Sequence, residues 1–177
     1  MSSGNNNNDQ FALLSGYLKA KGSSIDLKPS KCTKIKPIEF GTLKLADHIC
    51  YLTENGVYHH GLITKIQEEL SVAHILPDGY YEDTLEQFMG YQMQHLYRVD
   101  YEQALEPQVS VEKAKQFVQY QPIDYHATAW NCEIFIAFCK TGQRLPSEQV
   151  QAVMSEVCKD MAFLTSAAVN AVRNKKS

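Results

Sequence analysis

The chain has 177 residues, a net charge of −3 and a 44% hydrophobic composition, which suffices for one packed domain without disulfide or metal staples. Slight acidity, with no predicted face that concentrates lysine and arginine, argues against a nucleic-acid protein. Five cysteines, an odd count at irregular spacing, read as free thiols of a reducing compartment rather than as a disulfide framework.

Met1 to Gln10 is polar, with Ser2, Ser3 and the run Asn5 to Asn8, so no signal peptide is expected and residues 1–8 read as disordered. Phe11, Leu13, Leu14, Tyr17 and Leu18 predict a short helix. Lys28, Lys31, Lys34 and Lys36, with Pro29 and Pro37 near the ends, read as a solvated linker. These features make 1–38 an N-terminal extension, 39–146 the folded domain and 147–177 a C-terminal helix.

Within the domain, Ile49, Tyr51 and Leu52 predict a first strand, and Glu54-Asn55-Gly56 a hairpin turn. Val57 to Ile66 and Ser71 to Leu76 follow as strands, with a turn at Gln67-Glu68-Glu69 and a stop at Pro77-Asp78-Gly79. Phe88 to Met93 matches neither period, and Leu96 to Val99 reads as a fourth strand. Ser110 is the expected N-cap of a helix with Val111, Ala114, Phe117 and Val118 on its apolar face, ending before Pro122. Asn131 caps a helix from about 132 to 141, which stops at Gly142. After Pro146, Val150, Met154, Val157, Met161, Leu164 and Ala168 recur at steps of four and three and predict an amphipathic helix. It closes on Arg173, Lys175 and Lys176, and is expected to pack on the domain or on another copy. No window reaches the roughly 18 apolar residues of a spanning helix. Strands followed by helices suggest an α+β domain with a mainly antiparallel sheet.

Cys132 stands where unpaired N–H groups and the macrodipole favour negative charge, so its thiol is expected to be acidified. Cys139, two turns further on, lies outside that field and reads as core. His59 and His60 are adjacent on a strand and must face opposite ways, so at most one looks into a given site. His74 lies on the next strand, within cross-strand reach. Cys132, His59 and His74 therefore form a candidate triad of nucleophile, base and orienting group. His48, His95 and His126 have no evident partner.

Asp47-His48-Ile49, Tyr58-His59-His60-Gly61-Leu62, Val72-Ala73-His74-Ile75-Leu76-Pro77 and Asn131-Cys132-Glu133, in that order, resemble the lecithin:retinol acyltransferase-like family with its H-box and NC motifs. The resemblance takes in Tyr97-Arg98-Val99 as well and covers roughly residues 41–145. It implies a permuted papain-like fold, with His59 as general base, His74 as orienting histidine and Cys132 as the acyl-accepting nucleophile, and no metal or cofactor. Three features depart from the pattern: Ile134 replaces the usual histidine, the segment between His59 and His74 is longer, and a charged amphipathic helix stands in place of a hydrophobic anchor.

The implied activity is that of a thiol acyltransferase, phospholipase A or other acyl hydrolase of lipid metabolism, acting on a lipid ester such as a glycerophospholipid through a Cys132 thioester. The expected place is the cytoplasm, with peripheral membrane contact through the C-terminal helix. The superfamily's cell-wall amidases make a cysteine amidase or peptidase an alternative. The H-box and NC signatures of certain picornaviral non-structural proteins make a non-catalytic interaction module another.

Overall fold

The computed structural model describes residues 13, 16–21, 25–91, 94–122 and 125–174, with side chains of the last helix to residue 168. Residues 1–8, Phe11 and Leu14 lie outside the described residues, as do Lys175 and Lys176.

Six strands form one antiparallel sheet in the order β1-β6-β2-β3-β4-β5. They are β1 (Cys32–Ile35), β2 (His48–Leu52), β3 (Tyr58–Lys65), β4 (Ser71–Leu76), β5 (Gly79–Thr84) and β6 (Leu96–Val99). Three longer helices follow: α1 (Pro107–Tyr120), α2 (Cys132–Thr141) and α3 (Glu148–Asn174). The expected α+β architecture, with an antiparallel sheet and flanking helices, is present.

Local chemistry explains the hairpins. Gly56 takes φ +81° in the β2–β3 turn, where Thr53 N–H donates to Val57 O at 2.9 Å. As expected, β4 ends at Leu76 before Pro77-Asp78, and these residues turn it directly into a further strand, β5, whose first residue Gly79 pairs with Leu76. The lysine-rich linker is corrected too: residues 32–35 of it form edge strand β1 against β6, from Cys32↔Val99 to Ile35↔Leu96. Helix α1 begins at Pro107, and Ser110 is a buried residue of its first turn rather than the cap. Proline suits that first position because its missing N–H has no helical partner to lose.

The sheet is covered on both faces. Leu62, Ala73 and Ile75 pack with Val111 and Ala114 of α1 and Ile134, Phe135 and Cys139 of α2. On the opposite face Ile49, Ile63, Val72 and Leu96 pack under Phe40 of a 3-10 turn (Pro37–Thr42) and under Leu85 and Phe88 of a single helical turn (Leu85–Phe88). Helix α3 docks by its first turns, where Val153 is buried, while Met154, Met161, Phe163 and Leu164 are exposed. Tyr17 donates to Asp160 (2.9 Å) and Lys21 pairs with it (2.6 Å), tying helical segment 16–21 to α3. Among the described residues no helix is long and apolar enough to cross a membrane.

Candidate active site

The site lies where the sheet opens. Ile63 N–H donates to Asp47 O and Val57 O accepts from Thr53 N–H, both at 2.9 Å, so odd-numbered residues of β3 turn their peptide groups toward β2. Tyr58, His60 and Leu62 turn theirs toward β4. The β3–β4 register, however, runs from Lys65↔Ser71 only as far as Leu62↔Ala73. The peptide edge of Tyr58 and His60 is thus left to other groups, and the start of α2 meets it there.

Helix α2 begins as its sequence predicts. The Asn131 side chain accepts from Ile134 N–H at 3.1 Å, and its amide donates to Ala127 O at 2.8 Å. The N–H groups of Cys132 and Glu133 are left to face the sulfur, and the His60 N–H joins them from the open β3 edge. The Cys132 Sγ lies 3.9 Å from Tyr58 O. The main chain on both sides of His59 therefore holds the thiol.

His59 and His74 share the sheet face of Val72 and Phe88. His59 Nε2 lies 2.9 Å from His74 Nδ1, and His74 Nε2 lies 3.0 Å from Asp83 Oδ2 on β5. Donor and acceptor roles follow from this chain. A carboxylate only accepts, so His74 carries its proton on Nε2 and its Nδ1 is an acceptor. His59 must then donate from Nε2, which leaves a lone pair on Nδ1. Among the described residues His59 Nδ1 has no hydrogen-bond partner. Phe88 covers both imidazoles, with ring centroids 5.0 Å from His59 and 5.2 Å from His74.

Burial holds both imidazoles neutral. His59 is pushed well below the usual histidine value by desolvation, and next by the neighbouring His74 and His60. His74 is lowered by desolvation against the opposing pull of Asp83. The thiol departs from expectation: instead of being acidified, it is pushed up to about 12. Desolvation is the largest cause and the Glu133 carboxylate adds to it, while the three N–H groups oppose them. The helix-start field is real but smaller than the loss of water.

His60 takes the opposite face, as strand alternation requires, and finds a partner in His48. His48 Nε2 lies 2.8 Å from His60 Nδ1, and His48 Nδ1 lies 2.7 Å from the Tyr101 hydroxyl. Both histidines border a cavity of about 320 Å³ beside Tyr101 and Glu133. His95 and His126 belong to neither pair; His126 Nδ1 accepts from Ala129 N–H at 3.2 Å in its own turn. Cys139 is buried in the core, and all five cysteines are free thiols.

Three residues that sequence reasoning did not assign complete the arrangement. Asp83 orients His74. Glu133 accepts from the Ser147 hydroxyl and from Glu148 N–H (2.8 Å), which fastens α3 to α2 beside the thiol. Gln149 touches the open edge of β3. The Glu133 that follows Asn131-Cys132 was a visible signal, whereas Asp83 and Gln149 had none. Among the described residues no cluster of histidine, cysteine and acidic side chains is arranged to hold a metal. No protein-family model and no curated protein matches the chain.

Proposed function

We propose that the chain is a thiol acyltransferase or acyl hydrolase that takes an acyl group from a lipid ester onto Cys132. The observation that carries this reading is the Asp83–His74–His59 chain, which leaves a basic lone pair on Nδ1 of His59, the residue whose two neighbours along β3 hold the thiol by their main chain. His59 would take the Sγ proton as the sulfur attacks the ester carbonyl. The carbonyl electrons move to its oxygen, which the N–H groups of Cys132 and Glu133 can receive. Collapse expels the alcohol, which recovers the proton from His59, and leaves a thioester. An amine, alcohol or water then gives a proton to His59, attacks the thioester and releases the thiolate, which regains that proton. With thiol and imidazole both neutral at rest, the proton moves during attack rather than beforehand.

The lipid character of the substrate draws support from the surroundings of Cys132. Leu27, Val57, Ala127, Val150 and Val153 line a small pocket at the thiol. Ala127 and Val153 also border an adjoining groove of about 380 Å³, which continues past Leu13 and Met154. The resemblance to the lecithin:retinol acyltransferase-like family, and with it a permuted papain-like fold, belongs to the same reading. A peripheral contact of the exposed α3 side chains with a membrane surface is compatible with it.

Two observations favour a second reading, the interaction module without turnover. The pocket at the thiol encloses only about 50 Å³, and the resting thiol is strongly protonated. Incubation with a mixed glycerophospholipid extract, followed by mass spectrometry of the Cys132 peptide, separates the two. The enzyme gives an acyl adduct that Cys132→Ala abolishes, with turnover falling by several orders of magnitude. Absence of adduct and of hydrolysis in the wild type would leave the module.

A further inference from the structure

We infer that Gln149, the second residue of α3, is a positioning residue of the thiol site: its side-chain amide takes the place of the missing β4 partner of Tyr58 and fixes the strand edge against which Cys132 sits. The inference rests on the reading of Cys132 as nucleophile and extends the site to the C-terminal helix.

A strand residue offers one N–H and one C=O to its neighbour, and both need partners when buried. At Tyr58 both groups point to the side from which β4 has departed. Gln149 meets both: its Oε1 accepts from Tyr58 N–H at 2.7 Å and its Nε2 donates to Tyr58 O at 3.0 Å. A glutamine amide is the side chain suited to this, since it carries the same acceptor and donor as a peptide group, plus one extra N–H. The extra N–H goes to His60 Nε2, 3.0 Å away. The amide orientation is set by these contacts, because exchanging its O and N would oppose two acceptors and two donors.

The grip reaches the sulfur by two routes. Tyr58 O, held by Gln149, is the carbonyl that accepts from Cys132 Sγ at 3.9 Å. His60, whose side chain Gln149 holds, supplies one of the N–H groups that face the sulfur. His60 Nε2 as acceptor also sets its Nδ1–H toward His48 Nε2, so the second histidine pair becomes a buttress behind the edge. Gln149 is itself anchored, because its own N–H reaches Glu133 Oε2 at 3.3 Å. The titratable groups around the amide are therefore His60 on β3, Cys132 and Glu133 on α2, and Glu148 beside it on α3.

Gln149→Met keeps the length and apolar bulk of the side chain and removes the amide. Among the described residues, Tyr58 O then has only the thiol to accept from, and the thiol form gains over the thiolate. Alkylation of the full chain by iodoacetamide, read at each cysteine by peptide mass spectrometry from about pH 6 to 10, measures this. Cys132 is expected to react about tenfold more slowly in the variant, the effect of losing one hydrogen bond of this kind. The exposed Cys158 should be unchanged. A role in stability alone would do the reverse and speed the reaction by uncovering the thiol. Slower exchange of the Tyr58 amide and the Gln149 side-chain amide than of exposed amides, in wild-type protein by NMR, is the second expected result and needs no variant. Unchanged Cys132 alkylation in the variant, or free exchange at Tyr58, overturns the proposal. Slower alkylation in the variant of a wild-type protein that forms no acyl adduct keeps Gln149 in place and removes the enzymatic reading instead.

Discussion

At Cys132 two effects of known size compete. A helix N-terminus favours an anion by about 0.3–1 kcal/mol, up to roughly 2 in partly buried geometry. A rise in the thiol from an ordinary 9.0 to about 12 disfavours the thiolate by on the order of 4 kcal/mol. Desolvation wins, so the thiol depends on a base that is correctly protonated rather than on its own acidity. That places the weight on Asp83, the only group in the relay whose role is purely that of acceptor. Asp83→Asn lets an amide N–H face His74 Nε2, which would move the His74 proton to Nδ1 and block the His59 base. We expect kcat/KM for acyl transfer to fall at least tenfold while the midpoint of thermal unfolding stays within a few degrees, as measured by ester turnover and circular dichroism. A variant with the wild-type rate would exclude Asp83 from the relay.

Among the elements, the departure of β4 from β3 creates the site, and small residues permit it. Gly61 follows the two histidines on β3, and a Cβ there would stand 2.4 Å from Val72 Cγ1 and 2.8 Å from the Phe88 ring. Phe88 is the side chain that covers His59 and His74. Gly61→Ala should therefore displace the ring and destabilise the fold by about 1–3 kcal/mol, the usual cost of overpacking a core. Urea unfolding would show this as a lower midpoint at constant slope. A wild-type midpoint would mean that Phe88 is loosely held. The two strands that sequence reading missed, β1 and β5, are the two edges of the sheet. Lys34 on β1, and Glu82 and Asp83 on β5, are typical of protected edges, and they hide the apolar alternation by which inner strands are recognised.

For the whole molecule, four histidines of β2, β3 and β4, divided between the two faces of the sheet, set the response to acid. His48, His59, His60 and His74 are all lowered from the ordinary value near 6.5, with burial as the largest cause each time. Below about pH 6.5 the unfolded chain binds protons that the folded chain resists. Their contribution to stability is thus complete above that pH and is lost as the pH falls toward the depressed folded values. Each such histidine adds at most about 1.4 kcal/mol per pH unit to the slope. Urea unfolding at pH 7.5 and 5.0 should show a marked loss at the lower pH, and His48→Gln should make that loss shallower. Equal stability at both values would mean that the histidines are hydrated in the folded state.

Local features were legible in the amino-acid sequence because they depend on neighbouring residues. The Asn131 cap, the apolar period of α2, the Gly56 turn and the opposite facing of His59 and His60 are of this kind. The order of His59, His74 and Cys132 along the chain, and the likeness it carries, also came from sequence alone. Tertiary structure decided the rest: the partnership of His48 with His60, the acid behind His74, the amide that replaces a strand at Tyr58 and the protonation of the thiol. Each joins residues far apart in the chain or depends on how much water is excluded. Periodicity and capping carry no information on either.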